Sequence, residues 1–159
     1  MKLKKALSLL LALLVLCACL AGCGKGGDKK PKVIDITKLS QALDGGSLFG
    51  DSLSPLDEGT ARSLFGLNSA DVTKCVVKCS AGATPEAYAL FQAADTDAAG
   101  RVLQAVNDYI AMQKAVFNSY APDQLTKLDS AIVQQTDVYI IYVCASDTAA
   151  AQAILNQHT

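Results

Sequence analysis

The residue with the clearest chemistry in this chain is Cys23, because of what precedes it. Leu20-Ala21-Gly22 places small residues directly before the thiol, and Lys2, Lys4 and Lys5 lie at the start of the chain. Between them, Leu7 to Leu20 is an almost unbroken apolar run of about fourteen residues, shorter than the roughly 20 a helix needs to cross a hydrocarbon core. Basic, apolar, small, then a cleavage point is the order of an export signal. A cysteine at that point directs the chemistry to its sulfur: the thiolate is the nucleophile that accepts a diacylglyceryl group, and cleavage between Gly22 and Cys23 follows. The pattern predicts a bacterial lipoprotein precursor anchored in the cell membrane through lipid on Cys23, on the extracytoplasmic side. Two or three acyl chains on one residue hold firmly where a single chain is marginal.

The remaining groups that could react offer less. Cys17 and Cys19 leave with the signal, so Cys75, Cys79 and Cys144 remain. Cys75 and Cys79 are four apart in a segment read as strand. They share a face but lie about 13 Å apart, beyond the ~7 Å Cα limit of a disulfide. Buried free thiols are the expectation, and a bridge from Cys144 to one of them requires their strands to be neighbours. Three thiols with no histidine nearby make a poor zinc site, so no metal and no cofactor is expected. His158 is the single histidine and stands next to the C-terminal residue. Without a second one there is no Ser-His-Asp or Cys-His arrangement. Asp95 and Asp97 could serve as paired carboxylates of the glycosidase kind, but beside a helix start they read as capping groups, as do Asp57 and Glu58. Ser80-Ala81-Gly82-Ala83-Thr84 lacks the lysine and the spacing of a phosphate loop. The chain is therefore read as no enzyme.

One constellation points to binding. Gln113, Tyr120, Pro122, Asp123 and Gln124 gather at the end of a long helix, and Tyr139 and Tyr142 lie on a late strand. Gln113, Tyr120 and Tyr139 form the candidate binding surface, since tyrosines and amides serve both ligand pockets and partner contacts. The competing reading makes Tyr120 and Tyr139 edges of the core whose hydroxyls reach solvent. An aromatic content of 6% with no tryptophan is lean for a sugar binder.

Charge narrows the partners. Removing residues 1–22 leaves eleven basic against fifteen acidic residues, a net −4 over 137 residues. A nucleic-acid role needs a basic face and is not expected. Lys25, Lys29, Lys30 and Lys32 belong to a Gly/Lys tether that can touch anionic headgroups or simply be solvated.

The elements that must position these residues follow from periodicity and turn chemistry. Three segments are expected: a signal peptide (1–22), a flexible tether (23–32) and one domain (33–159), long enough to fold without staples. Thr37 is read as the N-cap of a short helix ended by Gly45-Gly46, and residues 45–56 as loop. Asp57-Glu58 start a second short helix stopped at Gly66. Val72 to Ser80 is the first strand, Gly82-Ala83-Thr84-Pro85 a turn, and residues 86–94 the returning strand. From Asp95, apolar positions Val102, Val106, Tyr109, Met112, Val116 and Tyr120 keep helical spacing for about six turns, up to Ala121-Pro122-Asp123. A short helical turn through Leu125 and Leu128 follows. Ile132-Val133 and Val138 to Ala145 are strands, and Asp147 caps a final helix. This is an α+β domain: an antiparallel sheet of about four strands in the order β-β-α-β-β-α, with helices on one face and short N-terminal helices.

At this point the chain resembles a known family, the small bacterial lipoproteins grouped as domain of unknown function 4358. The likeness runs from about Asp35 to the C-terminus. It rests on Leu64-Phe65-Gly66-Leu67, Ser80 to Thr84, the long helix with Gln113, Tyr120-Ala121-Pro122-Asp123-Gln124, and Tyr139 entering an apolar strand. Two positions depart from the pattern: Tyr109 stands where an arginine is frequent, and Asp137 where a glycine is frequent. The resemblance implies a location and a fold, and no activity. The functional expectation is a membrane-anchored, non-enzymatic module that binds a protein or other component of the cell envelope; a small-ligand-binding lipoprotein is the alternative.

Overall fold

The computed structural model describes residues 32–159. The expected signal peptide, the Gly22–Cys23 cleavage point, the lipid-bearing Cys23 and the tether to residue 31 lie outside the described residues. The domain runs α1 (Ile36–Gly45), β1 (Leu53–Pro55), α2 (Glu58–Phe65), β2 (Val72–Ser80), β3 (Ala87–Ala93) and α3 (Thr96–Tyr120). A 3-10 turn (Pro122–Gln124), α4 (Leu125–Asp129), β4 (Ile132–Thr136), β5 (Tyr139–Cys144) and α5 (Thr148–His158) complete it. This is the α+β class read from the sequence, with the expected β-β-α-β-β-α order intact.

Aspartate starts most of the helices. Asp57, Asp95 and Asp147 cap α2, α3 and α5, each accepting a hydrogen bond from a backbone N–H three residues on, which satisfies an otherwise orphaned donor. Asp95 and Asp57 are thus capping groups. At α1 the cap is Asp35, two residues before the expected Thr37; its carboxylate accepts from the N–H groups of Thr37 and Lys38. A carboxylate at that position also meets the positive end of the helix dipole, an advantage a threonine hydroxyl lacks. Gly66 stops α2 with φ 63°, the left-handed conformation glycine adopts without a Cβ penalty.

The sheet has five strands rather than about four, in the order β1-β2-β3-β5-β4, all antiparallel. The added strand, β1, lies inside the segment read as loop. It is three residues long and pairs Leu53 to Pro55 with Ser80 to Lys78, so its flanking Gly50, Ser52 and Ser54 hide its period.

The helices cover both faces of the sheet, not one. Ala87, Ala89, Phe91 and Ala93 of β3 pack with Ile140, Tyr142 and Cys144 of β5 against α2, α3 and α4. Tyr88 and Leu90 pack with Tyr139, Ile141 and Val143 against α1 and α5. Every residue of β5 is buried. Such strands show no polar alternation because neither face meets water, which is why the run Tyr139 to Cys144 is unbroken.

Cys75, Cys79 and Cys144 are free thiols, and all three face the α3 side. The register pairs Cys79 with Ala87 and Ala87 with Cys144. Strand β3 therefore separates the two cysteines by two inter-strand spacings, about 9.5 Å, too far for a bridge.

The β4–β5 hairpin carries a strained residue. Its two-residue loop, Asp137-Val138, has a positive φ at Asp137 alone, 49°, the pattern of a II′ turn, which favours glycine at that position. Asp137→Gly is expected to stabilise the domain by about 1 kcal/mol through relief of the backbone, read as a higher midpoint of urea unfolding at unchanged slope. A lower midpoint would mean that the hydrogen bond from Lys32 N–H to the Asp137 carboxylate, 2.9 Å, outweighs the strain.

Candidate functional site

The hairpin between β2 and β3 is held by two carboxylates. Glu86, the last residue before β3, is completely buried. It accepts hydrogen bonds from Gly50 N–H at 3.0 Å and Asp51 N–H at 2.8 Å, from Lys127 Nζ at 3.1 Å, and from the hydroxyl of Ser146. Burial pushes its carboxyl group up. The donors of Ser146, Gly50, Asp51 and Lys127 together outweigh that and hold it below the ordinary glutamate range, as hydrogen bonds to the charged form do. Asp51 in turn accepts from the hydroxyls of Ser80 and Thr84, each at 2.7 Å, and those bonds lower its carboxyl. Gly82 lies so close that a Cβ there would meet the Asp51 carboxylate at 2.7 Å. The turn chemistry of Ser80 to Pro85 is thus locked to the loop before β1.

Between this hairpin and the second half of α3 opens a cleft of about 270 Å³. Cys79, Ala87 and Tyr109 line it from the sheet and the inward side of α3. Leu64, Val116 and Phe117 supply apolar walls, and Ser80, Thr84 and Gln113 supply polar ones. The Tyr120 hydroxyl donates to the carbonyl of Ala83 at 3.3 Å, bridging helix end and hairpin. Behind Cys79 and Tyr109, the fully buried Tyr142 hydroxyl finds no nitrogen or oxygen hydrogen-bond partner among the described residues. By contrast Tyr88, on the other face, meets Ser40 at 2.8 Å and donates to Asp44 at 3.0 Å.

Alongside the cleft, α3 presents an apolar row to solvent. Val102, Val106, Tyr109 and Phe117 are buried, but Met112, Val116 and Tyr120 are 47%, 48% and 56% exposed. Their spacing of four puts them on one line of the helix. Leu64 borders the same surface, lining both the cleft and a second shallow groove that reaches Met112.

The structure divides the candidate binding surface. Gln113 and Tyr120 come together at the cleft. Tyr139 does not join them: it is buried on the α1/α5 face. With a period of two, residues 139 and 142 point to opposite faces, and Tyr142 is the tyrosine of β5 on the cleft side. Glu86, Asp51, Lys127 and Ser146 were not singled out from the sequence. The signal was present at one of them, since a lone charge opening an otherwise apolar strand must be paired.

Among the described residues no cluster of three or more His, Cys, Asp or Glu is placed to hold a metal ion, and no helix is long and apolar enough to cross a membrane. Burial pushes the thiols of Cys79 and Cys144 up to about 11, away from nucleophilic use.

Comparison with known families gives one match: the model of the family described as Domain of unknown function (DUF4358) covers residues 49–145. The chain belongs to this family. No curated protein and no solved structure matches it. The DUF4358 span contains Asp51, Ser80, Thr84, Glu86, Gln113, Tyr120 and Lys127, that is, the cleft and most of the network that shapes it. Of the stretches that carry the DUF4358 resemblance, the cleft gathers Leu64, Ser80 to Thr84, Gln113 and Tyr120, while Tyr139 lies on the other face.

The buried carboxylate fixes a pH dependence. Glu86 has a folded value below its ordinary value of 4.5, so its contribution to stability is complete above about pH 4.5 and is lost as pH falls through the lower folded value. Glu86→Gln should cost about 2–4 kcal/mol at pH 7, because Lys127 is left without its charge partner. The variant should also show a flatter loss of stability between pH 5 and 3 in chemical denaturation. An unchanged acid limb would remove Glu86 as its source.

Proposed function

We propose that this protein is a bacterial lipoprotein, held on the extracytoplasmic side of the cell membrane by lipid on Cys23, whose domain is a non-enzymatic module that binds a protein component of the envelope. The observation that carries the binding part is the row Met112, Val116 and Tyr120. Three of the four large apolar side chains exposed among the described residues lie on this one line, next to a cleft with apolar walls. Scattered exposed apolar residues need no explanation, but an aligned set bordering a groove has the character of a contact surface. The leucine-rich run and Leu20-Ala21-Gly22-Cys23 support the anchored part. Restriction to a surface would raise the effective concentration of the module for partners there.

The cleft itself favours a second reading, a small-ligand-binding lipoprotein. Its volume, its tyrosine and glutamine lining and the partnerless Tyr142 hydroxyl behind it suit a small neutral molecule more than an ion, since Glu86 is already matched by Lys127.

Two measurements test the proposal. Cys23→Ala should leave an uncleaved precursor or a protein released from membranes; normal processing with membrane retention would end the lipoprotein reading. A photo-crosslinking residue at Met112 should capture one envelope protein saturably in cells, and Val116→Glu should abolish the capture while leaving the melting temperature within a few degrees. Capture that survives Val116→Glu, or a crosslinker at Gln152 that captures the same protein, would remove the α3 row as the docking surface.

A further inference from the structure

The two edges of the sheet are built differently. At one, β1 is three residues long and ends in Pro55, which has no N–H to offer; shortness and proline are standard protections of an edge. At the other, β4 reads Ile-Val-Gln-Gln-Thr, with no proline, no glycine and no charge. Among the described residues no strand pairs with its outer side.

The hydrogen-bond phase of that edge is fixed by two observations. Asp137 and Val138 form a two-residue loop closed by the pair Thr136 and Tyr139, which places that pair in hydrogen-bonded register. Independently, the carbonyl of Val138 accepts from Ala93 N–H at 2.8 Å. Val138 therefore faces β3, and by alternation Tyr139, Ile141 and Val143 face β4. Their partners Thr136, Gln134 and Ile132 direct their backbone groups inward to β5. Val133 and Gln135 direct theirs outward.

We propose that the β4 edge is a self-association site, joining two copies of this chain into one continuous ten-stranded antiparallel sheet. The outward groups of Val133 and Gln135 are two residues apart, and an antiparallel second copy presents the same pair in reverse. Pairing Val133 with Gln135 of the second copy, and the reverse, satisfies all four backbone groups about a two-fold axis at Gln134. Such an isologous contact closes on itself and does not propagate. The register sets Asp137 against Ala131 of the second copy, so no like charges meet across the seam. Backbone groups alone accept any extended strand; the uncharged β4 row favours a second copy, whose two-fold register opposes no like charges and leaves no free edge on this side.

The axis makes a specific geometric prediction. Gln134 meets its own counterpart in a non-hydrogen-bonded pair, with Cα atoms about 4.5 Å apart, inside the range a disulfide spans. Gln135 meets its counterpart only diagonally, about 7–8 Å away. In cells expressing the full chain, Gln134→Cys is expected to give a covalent dimer on mild oxidation with copper phenanthroline, and Gln135→Cys little or none. The parent protein, whose three thiols among the described residues are buried or half-buried, is the blank. In sedimentation of the detergent-extracted protein, Gln135→Pro, which removes an outward N–H and one exposed side-chain bond to the Asp137 carbonyl, should convert dimer to monomer without loss of the thermal transition. Three results would overturn the proposal: a parent that is monomeric at all concentrations, equal crosslinking at positions 134 and 135, or a dimer that persists in a folded Gln135→Pro variant. The site is independent of the α3 row, so Val116→Glu is expected to leave this dimer intact.

Discussion

The carboxylate of Glu86 is the interaction on which the remainder of the domain depends. An ionised carboxylate without contact with water is costly unless it is paired and fully hydrogen-bonded. Here the donors come from three places far apart in sequence, the loop before β1, the lysine of α4 and the serine after β5, and meet a residue at the start of β3. No two of these segments can satisfy the charge alone, so the pieces that enclose it must be placed together. Asp51 extends the same lock to Ser80 and Thr84. The shape of the β2–β3 turn, and with it one wall of the cleft, is a consequence of neutralising a single buried charge.

The other wall follows from a mismatch of lengths. α3 has 25 residues, roughly 37 Å at the helical rise, while β3 has seven, roughly 24 Å. A helix laid along this sheet must overhang it. Over the sheet, small side chains on β3 (Ala87, Ala89 and Ala93) admit Tyr109 and Phe65, whose rings stack 4.2 Å apart. Past the sheet only one side of the helix finds cover: Phe117 turns inward, and Met112, Val116 and Tyr120 are left outside. The cleft is the space under the overhang.

Much of this was legible from the residues. Capping aspartates, Gly66, the apolar helix from Asp95 and the two hairpins all state local preferences that the tertiary structure obeys. The alanines of residues 86–94 favour helix, and the Gly-Ala-Thr-Pro turn before them favours a returning strand. What local pattern could not carry was the relation between layers. The apolar runs Ala87 to Phe91 and Tyr139 to Cys144 hold the evidence for helices on both faces, but the same runs suit a sheet covered once with tyrosines at its edge. That ambiguity misplaced Tyr139: its partners at the proposed surface depended on which face each tyrosine of β5 takes, and a strand reverses that choice at every residue. Strand β1 escaped for a different reason. Three residues paired to β2 gain their conformation from the partner strand, not from their own sequence.

The thiols show how the same layering limits chemistry. On the proposed extracytoplasmic location, three unpaired cysteines would face an oxidising compartment, where disulfides persist. The fold answers with distance and burial. β3 stands between Cys79 and Cys144, and four residues of strand separate Cys75 from Cys79. With values pushed up to about 11 by burial, Cys79 and Cys144 are thiolate in only about one molecule in ten thousand at pH 7. Oxidation proceeds through the thiolate, so these side chains behave as small apolar residues lining the α3 side of the sheet. Cys79 forms part of the cleft floor in that capacity: it contributes surface and polarizability to whatever the cleft holds, and no reactive sulfur.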